Sequence, residues 1–189
     1  MVVYVFCISD DSFVVGSGFE LLFNIRPRNQ TGLLLHVGAS SMNQYGPAEG
    51  HYLTVYMLRG EVVAQANNGK GEFMVSVKPK ASLCDGMFHK ISVIKRKNVV
   101  QLHVDTMDNY KIGPPSSTTT LTKDSVYVGG IPHIHHMHLS AAEMSMQQTL
   151  PVTSSFVGCI QDMRINGESI SFDRLSGVFG PVNLKECPG

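Results

Sequence analysis

The chain has 189 residues, 43% of them hydrophobic and 16% charged, and its fifteen basic and fifteen acidic residues cancel. This balance is typical of a globular domain rather than a disordered segment, and it provides no overall charge for attracting nucleic acid. No apolar stretch is long enough to span a bilayer. We therefore predict neither nucleic-acid binding nor membrane insertion.

Apolar and polar residues alternate along most of the chain, which is the pattern of β-strands that bury one face. The clearest runs are residues 18–27, 31–38, 51–66 and 89–105, with shorter runs near 125–130 and 156–167. Leu34 and His36 are predicted to face away from the core. The predicted core-facing residues are Phe19, Leu21, Phe23, Ile25, Leu33, Leu35, Val37, Leu53, Val55, Met57, Val62, Ala64, Val100, Leu102 and Val104.

Turn residues separate these runs, and no regular alternation of strand and helix is seen. Gly-containing turns occur at 67–69, 85–86 and 166–167. Only residues 138–149 have a helical composition, and we interpret 131–155 as a long surface loop. The sequence therefore predicts an all-β fold, an antiparallel sandwich of two sheets.

Four cysteines are present, and two of them, Cys159 and Cys187, enclose a loop of about 28 residues; a disulfide closing it would stabilise the fold by on the order of 3–4 kcal/mol. Two reduced, buried thiols are the alternative. Cys84 is interpreted as a buried free thiol, and Cys7 has no assigned partner. Because a bridge requires an oxidising compartment, and because Asn29 begins an Asn-Gln-Thr glycosylation sequon, we predict secretion.

Several motifs occur in a specific order: "GFELLFNIRPRNQTGLLLHVG", "HYLTVYMLRGEVVAQANNG", "CDGMFHKISVIKRKNVVQLHVD", "VYVGGIP", "FVGCIQDMRINGESI" and a terminal "CPG". Together they resemble the laminin G-like domain, most closely the last such domains of laminin α chains. The resemblance covers residues 12–189 as one domain, with 1–11 as an irregular or added segment. It implies a jelly-roll sandwich and a disulfide between Cys159 and Cys187. Phe88 stands where the family usually has Trp.

The resemblance also implies a role: a non-enzymatic adhesion module, secreted into the extracellular matrix and basement membrane. The implied partners are cell-surface receptors of the integrin or dystroglycan type, heparin or heparan sulfate, and other laminin domains or chains. One alternative is a domain of another secreted protein such as agrin, perlecan or a neurexin. A carbohydrate-active enzyme or lectin on the same sandwich is a second alternative, although no strand carries paired carboxylates and no nucleophile elbow is present.

Many members of this family bind calcium at the rim of the sandwich through two acidic side chains and backbone carbonyls. The first acidic position falls just before residue 51, where Glu49 is nearest, and the second falls near Leu121, with Asp124 beyond it. Leucine cannot coordinate calcium, which requires oxygen ligands. The sequence therefore predicts an incomplete calcium site at Glu49 and Asp124, and no other cofactor is implied.

Two further clusters are candidates for binding. Lys95, Arg96 and Lys97 are predicted to form a basic turn that contacts sulfated glycans, with Lys90 in support and Lys70, Lys78 and Lys80 as possible extensions. A charged turn that keeps a strand end soluble is the alternative. A His-rich loop could hold a divalent metal weakly, although an exposed loop without metal is favoured. Its members are His133, His135, His136 and His138.

Overall fold

The computed structural model describes residues 5–7, 14–38, 50–122, 126–131, 151–172 and 177–179, together with Asn183 and Cys187. Thirteen strands are found in this part of the chain, in two antiparallel sheets. The seven-stranded sheet has the order β13-β1-β10-β3-β4-β5-β6. Its strands are β1 (Val5–Cys7), β3 (Gly32–Gly38), β4 (His51–Leu58), β5 (Glu61–Asn68), β6 (Glu72–Val77), β10 (Val126–Val128) and β13 (Gly177–Phe179).

The six-stranded sheet packs against the first and has the order β12-β11-β2-β7-β8-β9. Its strands are β2 (Gly18–Pro27), β7 (His89–Arg96), β8 (Val99–Val104), β9 (Met107–Ile112), β11 (Gly158–Ile165) and β12 (Glu168–Ser169). The predicted two-sheet antiparallel sandwich is therefore confirmed. In the part of the chain that the structure describes, no helix has the length and hydropathy to cross a bilayer.

One hydrophobic core lies between the sheets and is built by the alternation that the sequence shows. Phe19, Leu21, Phe23 and Ile25 of β2 are at most 2% exposed and meet the inward residues of β3, β4 and β5 across the sandwich. Each fully buried large side chain stabilises the fold by about 1.5–3 kcal/mol relative to an exposed one. The core therefore fixes which strand faces point outward and can carry a site.

Short turns set the register of the hairpins. Arg59 and Gly60 between β4 and β5 have φ values of 52° and 80°, and Asn166 and Gly167 between β11 and β12 have 51° and 83°. Positive φ at both central residues is characteristic of type I′ turns, whose twist matches that of the flanking strands. Asn and Gly adopt this conformation readily, as expected from the sequence.

Strand β3 departs from strict alternation. The register with β4 shifts between Leu33 and Leu35, and this bulge turns Leu34 toward the main core. Leu33 lies on the outer face, where it packs with Tyr56, Val63 and Val152. The predictions that Leu33 faces the core and Leu34 faces away were therefore wrong, because the inserted residue inverts the pattern before Leu35.

The N-terminal segment also differs from its prediction as irregular. Val5–Cys7 form β1, which pairs with β10 on one side and β13 on the other. The apolar composition of this run, with the β-branched Val5 and the aromatic Phe6, suits a strand between two others. The predicted helical or loop region at 138–149, both calcium candidates and the His-rich loop lie outside the described residues.

The predicted disulfide is present between Cys159 and Cys187, with a Cα–Cα distance of 5.8 Å. Cys159 belongs to β11, where it lies opposite Arg26 of β2. The Arg26 guanidinium donates a hydrogen bond to Cys159 Sγ (3.6 Å) and lies 5.1 Å from the centre of the Phe88 ring. Cys84 is free and half-buried, and burial raises the pKa of its thiol.

Candidate functional site: a basic rim at one end of the sandwich

The predicted glycan-binding cluster does not form a single surface. Lys90 and Arg96 are exposed on the outer face of β7, but they lie at opposite ends of the strand, roughly 20 Å apart at the usual rise per residue. Lys97 is exposed in the turn after the strand. The structure therefore groups Arg96 with Lys97 and separates both from Lys90.

Lys95 is not a surface residue, and its prediction as a glycan contact was wrong. Its side chain is 0% exposed, because it continues the inward face that Ile91 and Val93 begin. A residue on this face of the strand cannot reach a ligand outside the domain. The turn itself is shorter than predicted, since Lys95 and Arg96 still belong to β7 and only 97–98 connect it to β8.

The Lys95 ammonium lies among backbone carbonyls. Its Nζ donates to the carbonyl oxygens of Lys97 (2.8 Å), Gly16 (3.0 Å) and, at a longer distance, Thr118 (3.4 Å). Burial lowers the pKa of Lys95 to about 8, so the side chain is still charged at neutral pH. The amine is thereby held by dipoles from three separate segments.

Further hydrogen bonds join the same segments to the end of β5. Gly16 and Thr120 exchange a pair of backbone hydrogen bonds, each 2.9 Å. Asn68 Nδ2 donates to the Ser117 carbonyl (3.1 Å), and Thr120 Oγ1 donates to Asn68 Oδ1 (2.5 Å). Lys70, which follows Asn68 in the turn to β6, is exposed at this end. Because Asn68 contacts residues 117–120, which in turn contact Gly16, Lys70 lies at the same end of the sandwich as Lys97.

His51, the first residue of β4, completes this end. Its Nδ1 accepts a hydrogen bond from the Leu121 amide (3.2 Å). Burial, followed by the positive charge of Lys95, lowers the pKa of the His51 imidazole. We call this end of the sandwich the basic rim; it comprises Gly16, His51, Lys70, Lys95, Arg96, Lys97 and residues 117–121.

The basic rim includes the region where the resemblance implies calcium, near Leu121 and before residue 51. The described residues there do not fit a divalent cation. Leu121 directs its amide to an imidazole, and the buried charge nearby is the Lys95 ammonium, which repels a cation. Nor do the described residues bring three or more His, Cys, Asp or Glu side chains together in a possible metal site. Glu49 and Asp124 lie outside the part of the chain that the structure describes.

At the opposite end of β7, the basic residue is His89, and its partners are carboxylates rather than the backbone carbonyls that contact Lys95. His89 Nδ1 lies 2.8 Å from Asp105 Oδ2, and Nε2 lies 3.1 Å from Asp85 Oδ1. Burial lowers the pKa of His89, but its hydrogen bonds to the carboxylates of Asp105 and Asp85 outweigh this effect and raise that pKa above its ordinary value. Since a carboxylate contacts each ring nitrogen, His89 ties together the turns that contain Asp85 and Asp105.

The laminin G domain family model matches residues 25–168, and the chain belongs to this family. Two similar proteins are laminin α subunits. Laminin subunit alpha-4 of Mus musculus is 37% identical over 183 residues, covering 97% of this chain and 9% of that protein. Laminin subunit alpha-3 of Homo sapiens is 34% identical over 181 residues, covering 94% and 5%. The chain thus spans less than a tenth of either relative.

The solved structure of mouse laminin alpha1 chain domains LG4-5 is also similar. It superposes with a TM-score of 0.75 at 25% identity, covering 98% of this chain and 46% of that one. The recognition of a laminin G-like domain from its motifs is therefore confirmed.

Sequence reasoning missed the grouping of the exposed cations. It placed Lys70 only as a possible extension, and it did not assign His51 to a site. Lys78 and Lys80, the other proposed extensions, follow β6 at the far end of the sandwich, because Val77 lies opposite Val62 whereas Glu72 lies opposite Asn67. These positions depend on the strand pairing, which local sequence patterns do not show.

Asn29 is exposed in the connection between β2 and β3. Its sequon residue Thr31 accepts a hydrogen bond from the Arg59 amide through Oγ1 (3.1 Å). An acceptor asparagine for N-glycosylation must be reachable by the modifying enzyme, and this position meets that requirement. Glycosylation at Asn29 stays a prediction.

Proposed function

We propose that the chain is a non-enzymatic extracellular binding module of a laminin α-type protein, secreted into basement membranes. The observation that carries this proposal is its membership of the laminin G domain family together with nearly full-length similarity to parts of laminin α subunits. The disulfide between Cys159 and Cys187 supports an oxidising, extracellular location.

The ligands we propose are sulfated or acidic glycans of the heparan sulfate and dystroglycan type, bound at the basic rim. The side chains available for contact are Lys70, Arg96 and Lys97, all of which are exposed. Arginine offers paired donors to a sulfate or carboxylate, and lysine offers a mobile point charge. Lys90, at the other end of β7, would contribute only to a ligand long enough to cross the sheet.

Cell-surface receptors of the integrin or dystroglycan type and other laminin domains are proposed as protein partners. Support for them comes from the similarity to laminin α subunits rather than from a particular surface. Glycan binding at the basic rim can be tested separately from these partners, because it depends on specific exposed charges.

The test is heparin-affinity chromatography of two matched double variants. Arg96→Ala/Lys97→Ala removes two charges from the basic rim, whereas Lys78→Ala/Lys80→Ala removes two exposed charges from the far end. Since an exposed ion pair contributes about 0.2–1 kcal/mol, the first variant should bind about three- to tenfold more weakly and elute at lower salt. The second should elute with the unmodified protein. Equal losses in both variants, or none in either, would argue against a site at the basic rim.

A further inference from the structure

Lys95 is a buried cation whose acceptors, in the part of the chain that the structure describes, are all uncharged. Lysine is almost never fully buried unless a partner compensates its charge. Within the described residues, no carboxylate lies within ion-pair distance of Lys95, and the ion pairs found there involve His89. The compensation comes instead from three backbone carbonyl oxygens.

The three carbonyl oxygens match the Lys95 ammonium in number, and they come from three separate segments of the chain. An ammonium group has three N–H donors, and the structure provides three acceptors for it. The acceptors come from different segments: Gly16 precedes β2, Lys97 lies in the β7–β8 turn, and Thr118 lies in the connection after β9. A single positive charge therefore cross-links three stretches of backbone that are far apart in sequence.

Convergence of backbone carbonyls from several loops on one positive charge is also how a protein binds a metal ion with oxygen ligands. Here the charge belongs to the protein itself. It also influences its surroundings: burial lowers the pKa of His51, and the charge of Lys95 lowers it further, which favours the neutral imidazole that accepts a hydrogen bond from the Leu121 amide.

We propose that the Lys95 ammonium is a resident internal cation that fastens the three segments of the basic rim and replaces a divalent ion there, so that this rim folds without calcium. The inference is independent of glycan binding. It accounts for a lysine on the inward face of β7 and for the misfit of the rim residues to calcium. It also explains how the exposed Arg96 and Lys97 are held in place, because the Lys97 carbonyl is one of the three acceptors.

The first experiment measures thermal unfolding of the whole chain in millimolar calcium and in EDTA. A specifically bound ion raises the melting temperature by mass action, whereas a resident ammonium leaves it unchanged. We expect a calcium-dependent shift below about 1 °C, compared with the roughly 2–4 °C that each kcal/mol of ligand binding adds in a protein of this size. A larger rise with calcium would overturn the proposal.

Variants at position 95 test the cross-link. Lys95→Met keeps most of the length of the side chain but removes the ammonium donor from the three carbonyls, and we expect the melting temperature to fall by roughly 5–15 °C. Lys95→Gln keeps two donors without the charge and should give an intermediate loss. Arg96→Met, at the exposed neighbouring position, is the matched control and should change the melting temperature by less than about 2 °C.

Two results with these variants would refute the role of the cation. One is a melting temperature for Lys95→Met equal to that of Arg96→Met. The other is full stability in Lys95→Gln, which would assign the effect to hydrogen bonding alone.

If Lys95→Met does not fold, a measurement on the unmodified protein tests whether the Lys95 ammonium is an internal group. Native protein is treated briefly with an amine-acetylating reagent, and peptides are analysed by mass spectrometry. Lys97 and Lys90 should react rapidly, whereas Lys95 should be at least about tenfold slower, because the reagent cannot reach a buried amine. Labelling of Lys95 at the rate of Lys97 would show that the ammonium is not an internal group.

Discussion

The two ends of β7 hold a basic side chain in opposite ways. At the first residue, His89 is 12% exposed and lies between the carboxylates of Asp85 and Asp105. At Lys95, the cation is fully buried and its partners are backbone carbonyls. The carboxylates raise the pKa of His89, whereas burial lowers that of Lys95 to about 8. Partner charge controls the first residue, and desolvation controls the second.

The largest difference should appear when the same acidic residue is placed at each end. Lys95→Glu would bury a carboxylate against carbonyl oxygens, and the loss should be more than about 5 kcal/mol, enough to prevent folding. His89→Glu places a third carboxylate beside Asp85 and Asp105, where water screens part of the repulsion, and should cost about 2 kcal/mol. Soluble yield and circular dichroism of both variants provide the measurement. Similar melting temperatures for the two would remove the distinction between the ends.

A smaller effect is expected from weakening the carboxylate partner of His89. Asp105 Oδ1 also accepts the Lys90 amide (2.8 Å), and Asp105 has a φ of 53°, which asparagine tolerates. Asp105→Asn should therefore lose about 1–2 kcal/mol through weaker hydrogen bonds and without backbone strain. Asp108→Asn, an exposed change on β9, is the control and should stay within about 0.5 kcal/mol. Urea unfolding of both variants tests this, and equal stabilities would contradict a structural role for Asp105.

The pH dependence should have opposite signs at the two ends. Lys95 has a folded pKa of about 8 against 10.5 when unfolded, so the unfolded chain binds more protons between these values. Its contribution to the free energy of unfolding therefore rises with pH above 8. The folded pKa of His89 is raised above 6.5, so its contribution is complete below pH 6.5 and is lost as pH rises through the folded pKa.

Urea unfolding between pH 6 and 9.5 can separate these contributions. The difference between the unmodified protein and Lys95→Met should grow toward the alkaline limit, and the difference from His89→Gln should shrink as pH rises. His36, whose pKa burial lowers to about 4, titrates below this range. If the differences in free energy of unfolding changed with pH in the same direction for both variants, the environments of Lys95 and His89 would not differ as described.

Part of the difference between the two ends of β7 can be predicted from the sequence. Alternation predicted the core of β2, β4 and β8 correctly, because those strands keep period two throughout. The same alternation runs from Ile91 through Val93 to Lys95, and following it would have placed the lysine inside. A run of three basic residues usually forms a turn, and this expectation is the reason for the wrong prediction at Lys95.

Other features could not be read from local patterns. The bulge that exchanges Leu33 and Leu34 depends on pairing with β4, and a single inserted residue leaves no mark in composition. Lys70 lies at the same end of the sandwich as Lys97 because Asn68 contacts residues 117–120, which are about fifty positions away. Such contacts depend on how distant strands pair. The sequence therefore indicates the separate segments of the basic rim but not that they lie together. The disulfide was foreseen because the family resemblance supplied the pairing.

The bridge between Cys159 and Cys187 also determines how this domain would carry mechanical load. The covalent loop encloses β12, an outermost strand of the six-stranded sheet, and β13, an outermost strand of the seven-stranded sheet. Tension applied beyond Cys187 passes through the sulfur atoms directly into β11, which lies beside β2. Such a force bypasses β12 and β13, because both lie inside the covalent loop. Extension of the domain by a force applied at its C-terminal end therefore requires the hydrogen bonds between β11 and β2 to break.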